Sequence, residues 1–138
     1  MWQYELFETI ISEHIHFATN YEQYEGRKTY AEETAGGFYT VRLSILQKLQ
    51  TMKKQASVLA LRFINPKEYV APLGVWVTRE AARKALENPP LSFSSKELLL
   101  HYIGLFVKRK FGIDVQSLLK ESKILSTIKV QKKLDVWV

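Results

Sequence analysis

Residues 36–64 read GGFYTVRLSILQKLQTMKKQASVLALRFI. Phe38, Val41, Ile45, Leu49 and Met52 recur at three- and four-residue steps, which predicts a helix with one apolar face. Gly36-Gly37 opens it, Glu32 and Glu33 lie near its positive end, and Lys53 and Lys54 lie near its negative end, as the macrodipole favours. Ala56–Ile64 follows, rich in Val, Leu and Phe, and predicts a strand. A helix handed on to a strand within a few residues is the unit around which the rest of the chain is read.

Upstream, Trp2, Tyr4, Leu6 and Ile10 fall on one side of an alternating pattern through Trp2–Ile11, and the same residues also loosely fit a helical stripe. Ile15 and Phe17 alternate with His14, His16 and Ala18, so a hairpin turning at Ser12-Glu13 is expected. Asn20 to Ala35 is too charged to be buried. Downstream, Leu73–Val77 resembles Ala56–Ile64, and the turn-prone Asn65-Pro66-Lys67-Glu68 between them predicts two neighbouring strands, with Pro72 suited to a first or edge position. Thr78 is the expected cap of a helix through Ala81, Ala82 and Leu86 that Pro89-Pro90 stops. Ser94 with Glu97 has capping-box spacing ahead of the apolar run Leu98–Val107, Gly112 ends that helix, and Asp114 caps a short last one. After Ser122 the pattern fades. The order β-β-α-β-β-α-α predicts an α+β fold: a small, largely antiparallel sheet packed by about four helices. The expected division is one domain over 1–122 and a flexible basic tail over 123–138.

Composition sets bounds on function. The 138 residues are 46% hydrophobic and 25% charged, ordinary for one globular domain. No apolar run approaches the roughly 18 to 20 residues that span a bilayer. The start, MWQYELFETI, carries acids where an export signal carries bases, and there are no cysteines, so a cytoplasmic protein without disulfides, thiol chemistry or membrane contact is expected. The net charge of +6 is unevenly spread. Residues 1–35 hold seven acids against Arg27 and Lys28, a net −5, whereas the remaining 103 residues hold eighteen bases and seven acids, a net +11. A basic body fits either a polyanionic partner or simply a solvated surface.

The tip, Gln131-Lys132-Lys133-Leu134-Asp135-Val136-Trp137-Val138, is the most specific element. Gln, an aliphatic three residues on and an aromatic three further would place Leu134 and Trp137 on one face of a short helical turn, with the Gln131 amide standing free. This spacing resembles a sliding-clamp binding peptide, which implies a sliding clamp (PCNA) as partner. Such peptides usually end in two aromatics, and here the second position is Val138. At about 25 cal/mol per Å² of apolar area, that loss weakens docking by on the order of 1 kcal/mol, towards micromolar affinity. The alternative is that Val136, Trp137 and Val138 form a terminal strand or core plug of the same domain.

Two further blocks carry a family resemblance. One is Gly26-Arg27-Lys28-Thr29-Tyr30-Ala31-Glu32 leading through Gly36-Gly37-Phe38-Tyr39 to Val41-Arg42-Leu43. The other is Gln55-Ala56, Val58-Leu59-Ala60-Leu61-Arg62, and Ala71-Pro72-Leu73-Gly74-Val75-Trp76 with Arg79-Glu80. Together they resemble the C-terminal part of the archaeal DNA repair proteins called Nre, a family that typically ends in a clamp-binding peptide. The resemblance covers residues 20–86 and the tip. It implies a role in the DNA-damage response, with recruitment to DNA by the clamp, and supplies no reaction. Nre proteins are normally much longer, with an N-terminal region that can carry a cysteine-rich, zinc-like motif absent from these residues.

Other residues are candidates on their own chemistry. Gly26-Arg27-Lys28 with Gly36-Gly37 at a helix start, together with Arg42, could hold a phosphate; the glycines could equally serve close packing. Glu13, His14 and His16, with Glu22 or Glu25, could approach a metal site or be solvent-facing strand residues. Arg79, Arg83 and Lys84 share one side of their helix, Lys108-Arg109-Lys110 ends the next, and Lys129, Lys132 and Lys133 line the tail. All could follow a DNA backbone or be ordinary solvated charges. Tyr24, Tyr30 and Tyr39 could stack on bases, and Tyr39 could equally belong to the core. The expectation is a clamp-recruited DNA repair factor that needs no cofactor or metal and contacts DNA. The alternative is a metal-dependent nuclease or nucleotide-handling domain.

Overall fold

A computed structural model of the chain describes residues 2–11, 14–33, 35–68 and 74–130. The alternation of the first segment becomes strand β1, Gln3–Ile10, and the histidine segment becomes β2, His16–Glu22. They pair antiparallel from Tyr4 opposite Glu22 to Ile10 opposite His16. The apolar stripe of residues 36–52 becomes helix α1, Ala35–Met52, and Ser57–Ile64 becomes β3. β1 is the central strand, in the order β2-β1-β3, and β3 runs parallel to it with Gln3 opposite Ser57 and Ile10 opposite Ile64. The sheet is therefore mixed rather than largely antiparallel. The reason is α1: it carries the chain back to the end of the sheet where β1 begins, so β3 can only run alongside β1 in the same sense.

The alternation of β1 divides the core in two. Tyr4 and Leu6 face α1, packing with Phe38, Val41 and Ile45. Glu5, Phe7 and Thr9 point the other way, and Phe7 packs with Val107, Ile113, Val115, Leu118 and Leu119. Four of the five expected stripe residues of α1 pack inward, whereas Met52 lies in the last turn and is exposed.

The strand expected over Leu73–Val77 is corrected. Leu73 lies outside the described residues, and Gly74–Glu87 forms helix α2, so Thr78 is buried inside the helix instead of capping it. Thr78, Ala82 and Leu86 recur every four residues and line the side of α2 towards α1, leaving Val75 and Trp76 exposed. The β-prone triplet at the start is overridden by this longer stripe. Gly36 makes the approach possible: a Cβ there would meet Val75 Cγ1 at 2.6 Å. The other half of the pair has a similar purpose, because a Cβ on Gly37 would collide with the Glu8 carboxylate. The glycines thus serve close packing rather than an open phosphate cradle.

Helix α3, Lys96–Phe111, is capped by Ser95, one residue later than expected, whose hydroxyl accepts from Leu98 N at 3.2 Å. The backbone N–H of Glu97 and then the Ser95 hydroxyl hold the Glu97 carboxyl below its usual range. Gly112 ends α3 in the left-handed region, as expected. Asp114 accepts from Gln116 N at 3.0 Å at the start of helix α4, Gln116–Glu121. The tail expected from residue 123 begins instead with helix α5, Lys123–Val130. Its Ile124 is 2% exposed, and the buried Glu5 carboxylate accepts from the backbone N–H groups of Lys123 and Ile124 and from the Ser122 hydroxyl. Among the described residues no helix is long and apolar enough to cross a membrane. The proposed docking residues Gln131, Leu134, Trp137 and Val138 lie outside the described residues.

Candidate basic cleft

The charged stretch after β2 is not loose, and Ala31 at its end is buried in the core. It is a loop over residues 23–31 folded around one side chain. Gly26, at φ 85°, turns the chain in a conformation that favours glycine. The Arg27 guanidinium then points inward and donates four hydrogen bonds: Nε to the Thr29 carbonyl at 3.0 Å, and Nη1 to the Tyr21 carbonyl and to Asn20 Oδ1, both at 3.2 Å. The fourth runs from Nη2 to the Tyr30 carbonyl, also at 3.2 Å. Its Cζ sits 5.0 Å from the centre of the Phe38 ring. The loop is closed at its far end by Tyr39, whose hydroxyl accepts from Ala31 N at 3.0 Å while its ring lies 4.6 Å from that of Tyr30.

Arg42 is equally committed. From α1 it grips Glu22 bidentately, Nη2 to Oε1 at 2.8 Å and Nε to Oε2 at 2.9 Å, and lies 5.3 Å from the Trp2 ring centre. Glu22 is only 3% exposed, so the ion pair neutralises a carboxylate that burial would otherwise penalise heavily. The buried Tyr4 hydroxyl lies near Glu8 and Glu22, and burial together with those carboxylates pushes its pKa well above the ordinary tyrosine value. It stays protonated throughout the physiological range.

Two hollows flank this loop. One, of about 330 Å³, is lined by Glu22, Arg27, Lys28, Thr29, Tyr30, Tyr39 and Arg42. The other, of about 430 Å³, shares Glu22, Arg27, Lys28 and Thr29 and is completed by Tyr21, Gln23, Gly26 and Lys123. Together they form a groove on both sides of Lys28-Thr29, lined by four cations and one carboxylate. Two of the cations have no carboxylate partner among the described residues. Among the described residues Lys28 makes no hydrogen bond or ion pair, and there Lys123 presents Nζ to the Tyr21 ring, 5.7 Å from its centre.

The structure thus brings Arg27, Lys28 and Arg42 together, as the sequence suggested, but gives them different tasks. Arg27 and Arg42 hold the loop, and Lys28 faces the groove. Arg79, Arg83 and Lys84 are elsewhere, on α2, where Arg79 Nε and Arg83 Nη1 both reach Glu80 Oε1 at 3.2 Å. His14 precedes β2 and Glu13 lies outside the described residues; no group of three His, Cys, Asp or Glu suited to a metal occurs among the described residues. Tyr30 is 71% exposed and offers a ring face, whereas Tyr39 is occupied with the loop.

Lys123 is the residue sequence reasoning missed. A signal for it existed: Ser122 caps α5 by accepting from Leu125 N at 3.1 Å, and Ile124, Leu125 and Ile128 have helical spacing. The partner carboxylate of Glu5, more than a hundred residues away in sequence, had none.

Comparison with known proteins places the chain. Residues 22–137 match the family model described as Archaeal Nre, C-terminal. DNA repair protein NreA of Archaeoglobus fulgidus is 51% identical over 61 residues, which are 44% of this chain and 15% of that protein. NreA of Haloferax volcanii, also a DNA repair protein by name, is 40% identical over 74 residues, 54% of this chain and 17% of its own length. DNA repair protein NreB of Archaeoglobus fulgidus is 31% identical over 119 residues, 86% of this chain and 28% of that one. The chain therefore spans between 15% and 28% of the length of these relatives. No solved structure matches it. The match over 22–137 takes in the loop, the groove and the five helices of the described residues, and this chain belongs to the archaeal Nre family.

Proposed function

We propose that this chain is a DNA damage repair factor brought to DNA by the sliding clamp (PCNA), with Gln131, Leu134, Trp137 and Val138 as the docking peptide. The observation that carries this reading is the family match itself. It runs through residue 137 and so includes the Gln-x-x-Leu-x-x-Trp spacing, and the relatives are named DNA repair proteins. The physics of the peptide is consistent with it: one apolar face of Leu134 and Trp137 can fill a surface pocket while Lys132, Lys133 and Asp135 stay hydrated. α5 runs to Val130, the last described residue, so the peptide follows a helix in sequence. DNA is the second partner in this reading, met by the basic residues of the groove and by Arg79, Arg83 and Lys84.

Calorimetric titration of the full chain into the host's sliding clamp tests it. Saturable binding in the micromolar range is expected, weakened at least tenfold by Trp137→Ala. No heat from the unaltered chain would remove the clamp from the account.

A further inference from the structure

We propose that the groove between the 23–31 loop and the first turn of α5 binds the phosphodiester backbone of a single DNA strand, with Lys28 and Lys123 as the phosphate ligands and Tyr30 as the stacking surface for a neighbouring base. The choice of DNA as the source of the phosphate rests on the repair reading above; the phosphate site itself rests on geometry.

Three features support the assignment. First, the two lysines come from opposite ends of the chain and line one hollow, yet neither has a carboxylate partner among the described residues. The arginines in the same groove are bound to Glu22 or to carbonyl oxygens, so they set its shape and leave the lysines to meet an anion. Secondly, the two hollows share Glu22, Arg27, Lys28 and Thr29 and both open to solvent, which suits a strand laid across Lys28-Thr29 better than a small enclosed ligand. Thirdly, the 71% exposed Tyr30 ring stands at one side of the hollow containing Lys28, with Tyr39 fixing its back. Aromatic rings beside unpaired cations are the pairing that single strands use, the ring taking a base face and the ammonium the phosphate.

Lys123 reaches the groove only because Glu5 anchors the start of α5. The Glu5 carboxylate accepts from the Lys123 backbone N–H at 2.9 Å and from Ile124 N at 3.1 Å, which fixes where the Lys123 side chain emerges. Arg27 and Glu5 are therefore positioning residues, and Lys28, Lys123 and Tyr30 are the residues that touch the strand.

The test is fluorescence anisotropy with a labelled oligothymidylate of about twelve nucleotides and the full chain, from low to moderate salt, with no clamp present. The unaltered chain binds with affinity that falls with salt. A Lys28→Ala/Lys123→Ala double variant, its melting temperature unchanged, binds about tenfold or more weakly with a salt slope reduced by roughly 1.4, the share of two single-strand phosphate contacts. Tyr30→Ala weakens binding about fivefold or more with the slope unchanged, which a merely structural tyrosine would not do. Equal affinity and slope for the double variant and the unaltered chain would overturn the assignment, leaving any strand binding to other lysines. Saturable binding of inorganic phosphate, lost in the double variant, without oligonucleotide binding would assign the groove to a small anion and overturn the strand. The measurement contains no clamp and the clamp titration contains no oligonucleotide, so loss of this site and loss of the clamp reading are separate results.

Discussion

The 23–31 loop and helix α2 each carry a cluster of bases, and in sequence they look alike. In space they are opposites. The guanidinium of Arg27 is wrapped by three carbonyl oxygens and an amide, and Arg42 holds a buried carboxylate through two hydrogen bonds. On α2, Arg79 and Arg83 share the single, half-exposed carboxylate of Glu80 at 3.2 Å. Desolvation makes the difference. A polar group buried with its partners is costly to disturb, because the partners are left unsatisfied, whereas an exposed ion pair exchanges one set of contacts for water at almost no cost. The lesson is that equal charge in two segments can mean a scaffold in one and a solvated face in the other.

Substitutions can break this contrast, and the largest effect is expected furthest from the bases themselves. Glu5→Ala removes the acceptor of three hydrogen bonds at the start of α5, and should cost about 3 kcal/mol or more of stability in chemical denaturation. It should also weaken oligonucleotide binding by displacing Lys123. Arg27→Ala removes four hydrogen bonds that hold the loop, those to Asn20 and Tyr21 part-buried and those to Thr29 and Tyr30 exposed to water, and should cost about 1 to 2 kcal/mol by the same measurement. Arg27→Lys should recover little of it, since one ammonium cannot reach the same fork of acceptors. By contrast, Arg79→Ala and Arg83→Ala should each change stability by about 0.5 kcal/mol or less. A fall comparable with that of Arg27→Ala would show that α2's bases are structural after all. Smallest of all, Lys28→Ala should leave the melting temperature within about a degree, because the side chain has no hydrogen-bond or ion-pair partner to lose among the described residues.

Much of the fold was legible because it follows from periodicity. The stripe Phe38, Val41, Ile45 made α1, the alternation around Tyr4 and Leu6 made β1, and the Gly112 and Asp114 signals bounded the helices near the end of the described chain. The segment 74–77 misled because Val75-Trp76-Val77 favours a strand locally, while the deciding contacts, Gly36 against Val75 and the Thr78, Ala82, Leu86 stripe against α1, are tertiary. Residues 123–130 misled for a related reason. Their helix depends on a carboxylate in β1, and a segment of that length is marginal as a helix by itself.

The candidate site divides along the same line. The sequence by itself determined that Arg27, Lys28 and Arg42 belong to one neighbourhood, because they flank a short loop ahead of one helix, and that residues 131–138 carry Gln131, Leu134 and Trp137 at a fixed spacing. Only the tertiary structure decided which bases are free to meet a ligand. That choice depends on which cations find buried acceptors and which do not, and on Lys123 arriving beside Lys28 from the other end of the chain. Periodicity is a local property and can be read along a chain; the pairing of charges is set by which surfaces the fold takes out of water, and no local pattern records it.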